Sequence, residues 1–184
     1  KGISDVILCI GKFGKMIEDY VGDGSFWGLN VKYSYEDENN LLGTGGAIKN
    51  ALHLIQDNFI ITYGDVFLDL DYMQIVSRFR KNKKPMLITI YKNKNKGDKS
   101  NIIYKNGKIL NYDKKNISDD MEYIDCGLIV TKKYIFKNYP EKFDLSQTMS
   151  DLVKSGKVSA FETDVQFYEI GSGIGQALCP FRLE

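Results

Sequence analysis

Apolar residues fill positions 6–10, with β-branched Val6, Ile7 and Ile10 among them, which predicts a strand. Phe13, Ile17 and Tyr20 then recur at the spacing of one helix face over 12–20. Val21-Gly22-Asp23-Gly24-Ser25 supplies turn chemistry, after which Val31, Tyr33 and Tyr35 alternate with Lys32 and Ser34 in the period of a strand. Glycines at 43–46 interrupt the pattern, 47–55 returns to helical spacing, and 59–63 is a further apolar strand stopping at Gly64-Asp65. This alternation predicts an α/β fold, Rossmann-like, with a mainly parallel sheet and helices on both faces.

The alternation continues downstream. Met73, Val76 and Phe79 predict a helix over 72–81, and Pro85 opens an apolar strand at 86–91. Residues 92–99 carry Lys, Asn and Gly with nothing apolar, so a solvated loop is expected there and no function is assigned to it. The segments 101–104 and 108–112 flank Asn106-Gly107, a dipeptide that takes positive φ easily, which predicts a small antiparallel insertion. A strand at 123–130, a helix at 145–153 and one or two strands within 158–170 precede a glycine-rich end. Neither a repeat nor a linker divides the chain, so one domain over 1–184 is expected.

Composition narrows the function. The chain has 184 residues, 43% of them hydrophobic, enough for one core. Lys and Arg total 25 against 24 Asp and Glu, and a net charge of +1 offers no broad attraction for nucleic acid or an anionic membrane. A compact ligand is expected instead. No apolar run approaches the roughly 20 residues of a membrane span. Cys9, Cys126 and Cys179 have no metal-ligand spacing, which points to a reducing cytoplasm, with Cys126 buried and inert. His53 is the sole histidine, so a catalytic triad or a multi-histidine metal site lacks material, and carboxylates and lysines must carry the chemistry. The opening Lys1-Gly2-Ile3-Ser4-Asp5 has no initiator Met and no signal-peptide pattern, so further residues are expected ahead of it.

Leu42-Gly43-Thr44-Gly45-Gly46-Ala47 lets backbone approach a flat ligand, with amides at a helix start facing an anion; an ordinary loop and cap is the alternative. Tyr63-Gly64-Asp65 places a carboxylate just past an apolar strand, the edge where open α/β sheets bind ligands, although turn aspartates also occupy such places. Phe167-Tyr168-Glu169-Ile170-Gly171 repeats the arrangement. Magnesium prefers one or two carboxylates with phosphate oxygens and water, so Asp65 and Glu169 would suffice to hold Mg2+. Asp69-Leu70-Asp71 has the spacing of a glycosyltransferase metal motif but precedes a helix, where a cap is favoured. Trp27 could stack on a base, and covering core is favoured.

In order, these segments resemble the sugar-phosphate nucleotidylyltransferases. The family's L-G-T-(A/G)-G-A is similar to Leu42 through Ala47, its strand-ending G-D to Gly64-Asp65, and its late acid-Ile-Gly-Ser/Thr to Glu169-Ile170-Gly171-Ser172. Its G-x-I and E-K-P resemble Gly107-Lys108-Ile109 and Asp113-Lys114, and its N-x-G resembles Asp125-Cys126-Gly127. The resemblance implies that Gly43, Thr44, Gly45 and Gly46 meet nucleobase and ribose, with Glu36 and Gly64 shaping the nucleotide pocket. It gives the metal to Asp65 and Glu169, the sugar phosphate to Lys114, and the sugar to Asp125 and Gly127. The L-G-T-G-G-A-I form is similar to mannose and heptose 1-phosphate guanylyltransferases, which implies GTP and a sugar 1-phosphate as substrates, with oligomeric state open.

Departures accompany the matches. Glu169 stands where the family usually has Asp, Lys115 follows Lys114 in place of Pro, and Ser146 occupies a position often held by Glu. The family's opening strand, its G-x-G-T-R-L loop and its P-K-P segment are absent from 1–184, which implies roughly 40 further residues, about one β, α, β unit. An enzyme when complete, inactive as this segment alone, is the expectation. A nucleotide- or sugar-phosphate-binding module of the same fold without catalysis is the alternative.

Overall fold

The computed structural model describes residues 1–93 and 99–170. Expectations that rest on 94–98, on Gly171-Ser172, on the glycine-rich end or on Cys179 lie outside the described residues. Two compact units divide the chain. One joins Lys1–Phe59 to Lys132–Thr148, and the other joins Ile60–Thr131 to the described residues from Met149 onward.

In the first unit, β1 (Asp5–Ile10) and β2 (Asn30–Tyr35) pair in parallel, with Asp5 against Asn30 and Ile10 against Tyr35. Between them runs α1 (Gly14–Val21), whose C-terminal Gly22 donates its N–H to the Glu18 carbonyl at 2.8 Å. The expected helix forms, but Phe13 stands before it at φ 60°, and Ile17 and Tyr20 on it are 40% and 74% exposed instead of packed on core. Periodicity identifies residues that share a face and not what covers that face. Trp27 likewise lies 47% exposed in an aromatic cluster with Tyr20 and Phe26, instead of over core. α2 (Gly43–Asn50) begins four residues earlier than expected, because the glycines of 43–46 form its first turn.

The second unit is built on β8 (Tyr123–Lys132, its last residue in the first unit), buried along almost its whole length. Its neighbours are β3 (Asn58–Thr62, its first two residues in the first unit), β5 (Met86–Lys92) and β6 (Ile102–Lys105). β7 (Lys108–Tyr112) closes a hairpin with β6, and β9 (Val158–Thr163) runs parallel to β5. Asn106 and Gly107 take φ of 52° and 74°, the left-handed turn that the dipeptide predicts. A separate ribbon pairs β4 (Val66–Leu68) antiparallel with β10 (Phe167–Glu169).

The α/β class stands as read from the sequence. The mainly parallel sheet does not: β5–β8, β6–β7, β6–β8 and β4–β10 are antiparallel, whereas β1–β2 and β5–β9 are parallel. Strand direction depends on connections that local hydrophobic pattern does not encode.

Helix α3 (Tyr72–Lys81) starts where Asp71 accepts the N–H groups of Met73 and Gln74 at 2.9 and 3.2 Å. That is the cap expected of Asp71. Its Ile75 and Phe79 pack into a core with Leu68, Leu87, Cys126, Leu128 and Val130. Helix α4 (Leu145–Lys154) begins in the first unit and ends in the second. No helix among the described residues is long and apolar enough to cross a membrane.

Ile75 is fully buried, so Ile75→Ala is expected to cost about 2–5 kcal/mol through lost contacts and the cavity left behind. Urea unfolding measures it, and a loss under about 1 kcal/mol would contradict the packing.

Candidate functional site

Antiparallel pairing between β5 and β8 is interrupted. Ile88 pairs with Ile129 and Ile90 with Asp125, so β8 carries extra residues between these pairs. Gly127 lies in that bulge at φ 74°, and a Cβ there would meet Tyr63 and Val66 at 3.1 Å. Only glycine fits both the backbone sign and the approach. Just before the bulge, Asp125 is 6% exposed.

Burying a carboxylate requires partners, and Asp125 has them. Its Oδ2 accepts from Asn101 Nδ2 at 3.1 Å and from the Tyr112 hydroxyl at 3.1 Å, and Lys114 Nζ lies 3.3 Å away. Asn101 reciprocates, its Oδ1 accepting the Asp125 N–H at 3.3 Å, while its own N–H donates to Tyr123 and its carbonyl accepts from Asp113. Burial, with the Asp125 charge second, pushes the Tyr112 hydroxyl far above the usual tyrosine range, so it stays a donor.

Lys114 is held from its own loop as well. Asp113 accepts the N–H groups of Lys115 and Asn116 at 2.8 and 2.9 Å and the Asn116 side chain at 3.0 Å. Those bonds, led by the one from the Asn116 backbone, lower the Asp113 carboxyl to about 2. The Lys114 ammonium lies 5.9 Å from the Tyr63 ring centre, within cation–π range. A cavity of about 220 Å3 opens here, lined by Lys99, Asn101, Lys114, Ile117, Ile124 and Glu169.

Glu169 reaches that cavity from the end of the β4–β10 ribbon. It pairs with Val66, and the next N–H, that of Ile170, donates to the Asp65 carbonyl at 2.6 Å. Asp65 therefore adjoins Glu169 at one ribbon end, one register step away. In an unbroken ladder such neighbours face opposite sides, but Asp65 belongs to the turn closed by Val66 N–H on the Tyr63 carbonyl, where that alternation is not imposed. Asp65 is exposed and Glu169 partly so. Two adjoining carboxylates suit a hard divalent ion whose remaining ligands come from phosphate and water. No group of three or more His, Cys, Asp and Glu gathers among the described residues.

The glycine segment of the first unit has a role its sequence did not announce. The N–H groups of Gly45 and Gly46 both donate to the Phe143 carbonyl at 3.0 Å, the Phe143 N–H donates to the Leu42 carbonyl at 2.9 Å, and Thr44 Oγ1 accepts the Leu145 N–H at 2.9 Å. These two amides serve Phe143 and do not face an anion, which corrects that part of the sequence reading. A Cβ on Gly45 would lie 2.3 Å from the Phe143 ring, and one on Gly46 2.3 Å from the Glu141 carbonyl. Glu36 Oε2 accepts the Leu42 N–H at 2.8 Å, which fixes the entry to the segment. Gly43 takes φ 76°, and Gly64 is exposed beside Asp65. His53 is exposed on its helical turn.

The structure thus brings Lys114 and Glu169 to one cavity, sets Asp65 beside Glu169, and buries Asp125 behind Lys114. Sequence reasoning missed Asn101, Tyr112 and Lys99. The available signal was Ser100-Asn101, a polar pair set directly before an apolar strand.

The nucleotidyl transferase family model matches residues 1–160. A D-glycero-alpha-D-manno-heptose 1-phosphate guanylyltransferase of Campylobacter jejuni is 29% identical over 175 residues, covering 93% of this chain and 75% of that protein. One of the same name from Aneurinibacillus thermoaerophilus is also 29% identical, covering 93% and 74%. Among solved structures, HddC of Yersinia pseudotuberculosis is 26% identical with a TM-score of 0.77, covering 95% of this chain and 76% of that one. The same protein has been solved with GMP-PN, and that complex aligns with a TM-score of 0.74.

Gly46→Ala is expected to destabilise the chain by about 1–3 kcal/mol, since backbone at Glu141 must yield. Thermal unfolding reads it, and an unchanged midpoint would contradict the clasp.

Proposed function

We propose that this chain, which belongs to the nucleotidyl transferase family, transfers a nucleotidyl group from a nucleoside triphosphate to a sugar 1-phosphate. GTP and a mannose- or heptose-type sugar are the substrates favoured, supported by the L-G-T-G-G-A-I form and by the guanylyltransferase relatives. The observation that carries the reading is the Lys114 ammonium, anchored on buried Asp125 at the mouth of a cavity that Glu169 also lines.

An oxygen of the sugar phosphate attacks the α-phosphorus of the triphosphate in line. The new bond joins that oxygen to the α-phosphorus, the bond from the α-phosphorus to the bridging oxygen breaks, and pyrophosphate departs. The attacking oxygen is already an anion, so no general base is required. Lys114 holds the sugar phosphate and limits its orientations. Asp125 acts behind Lys114 through its hydrogen bonds, and Gly127 supplies the bulge that turns it there. In the first unit, Gly43 and Thr44 take the nucleobase and ribose, on a segment that Gly45, Gly46 and Glu36 hold in shape.

Asp65 and Glu169 are the residues that would hold Mg2+, with Gly64 in the same turn as Asp65. Bound there, the ion would neutralise phosphate charge as pyrophosphate leaves. Glu169, one methylene longer than Asp, keeps the same oxygen donors.

Asp65 is exposed, so Asp65→Ala is expected to leave thermal unfolding unchanged while turnover falls about 100-fold or more. The assay is GDP-mannose formation by the complete protein from GTP and mannose 1-phosphate in Mg2+. Retained activity would sink the metal assignment, and equal use of UTP would sink the choice of base.

A further inference from the structure

The carboxylate behind Lys114 changes the charge arithmetic of the cavity. A phosphate monoester carries about −1.5 to −2 near neutral pH. Asp125 lies 3.3 Å from Lys114 and offsets most of that ammonium's charge, while Glu169 contributes a negative charge to the lining. With Lys114 as its sole cation, this cavity would repel a dianion. Lys99 restores the balance, because it lines the same cavity.

Lys99 is also placed by design of the chain around it. Ser100 and Asn101 follow it and are both buried, 0% and 5% exposed. The Ser100 hydroxyl accepts from Asn93 Nδ2 at 3.3 Å, and Asn101 is tied to Asp125 through both ends of its side-chain amide. Lys99 itself is exposed. The backbone of Lys99 is therefore anchored by its buried neighbours, and its side chain borders the cavity.

We propose that this cavity is a dianion subsite in which Lys99 and Lys114 together take the phosphate of the sugar 1-phosphate, with Asp125 as the positioning residue that fixes both. Asp125 reaches Lys114 directly and Lys99 through Asn101. The inference rests on the reading of Lys114 given above, and it assigns Asp125 to the lysine in place of the sugar, since its Oδ2 takes three donors from the protein itself.

Isothermal titration with inorganic phosphate reads the subsite without requiring turnover. Lys99→Gln is expected to weaken phosphate binding about tenfold, and Lys99→Arg to keep most of it. Lys92→Gln serves as the control, since Lys92 pairs with Glu122 at 3.2 Å and does not line the cavity; it should bind as wild type. Asp125→Asn is expected to raise KM for mannose 1-phosphate while KM for GTP holds, a split that general loss of structure would not produce. Should Asp125→Asn fail to fold, the exposed Lys99 decides alone. Wild-type affinity in Lys99→Gln, or an equal loss in Lys92→Gln, overturns the proposal. If the complete protein forms GDP-mannose but Lys99→Gln binds phosphate normally, the subsite fails and the function stands. If phosphate binding follows the expected pattern without nucleotidyl transfer, the function fails and the subsite stands.

Discussion

A buried carboxylate organises the second unit. Asp125 would cost several kcal/mol to place in the interior unaccompanied, and the chain meets that cost with an amide, a phenol and an ammonium drawn from Asn101, Tyr112 and Lys114. Each partner comes from a different stretch around the β6–β7 hairpin. The same hydrogen bonds that satisfy Asp125 therefore join the hairpin, the loop after it and the bulged strand β8 into one rigid corner. The ammonium that lines the cavity is thus held by a carboxylate that does not line it.

The first unit solves a related problem with backbone. Its glycine segment gives two amides to Phe143 and admits the Phe143 ring where any side chain would collide. Thr44 then supplies its hydroxyl to the start of α4. A motif that reads as an approach route for a ligand is first an internal clasp, and the requirement for glycine follows from packing at Gly45 and Gly46.

Much of this was legible in the sequence where the cause is local. The helix 72–81 is bounded as expected because Asp71 caps it and its apolar residues repeat on one face. The hairpin turned where Asn106 and Gly107 accept positive φ. What escaped depends on partners distant in the chain. The glycine segment reads as an interruption ahead of a helix at 47 and instead forms that helix's first turn, held by Phe143 about a hundred positions away. Strand direction was misjudged for the same reason, and α1 shows an apolar face that its period gives but its surroundings leave exposed. Lys99 ends a sequence run that reads as a solvated loop, although Ser100 and Asn101 are buried immediately beside it. Asp65 and Glu169 stand far apart in the chain, and the ribbon register sets them at adjoining positions.

A crystal structure with GDP-mannose bound to the complete protein tests the central claim most directly. The account predicts the sugar-side phosphate within hydrogen-bonding distance of the Lys114 ammonium, with Asp125 still buried behind it. A sugar phosphate held elsewhere, with Lys114 turned away from it, would contradict the account.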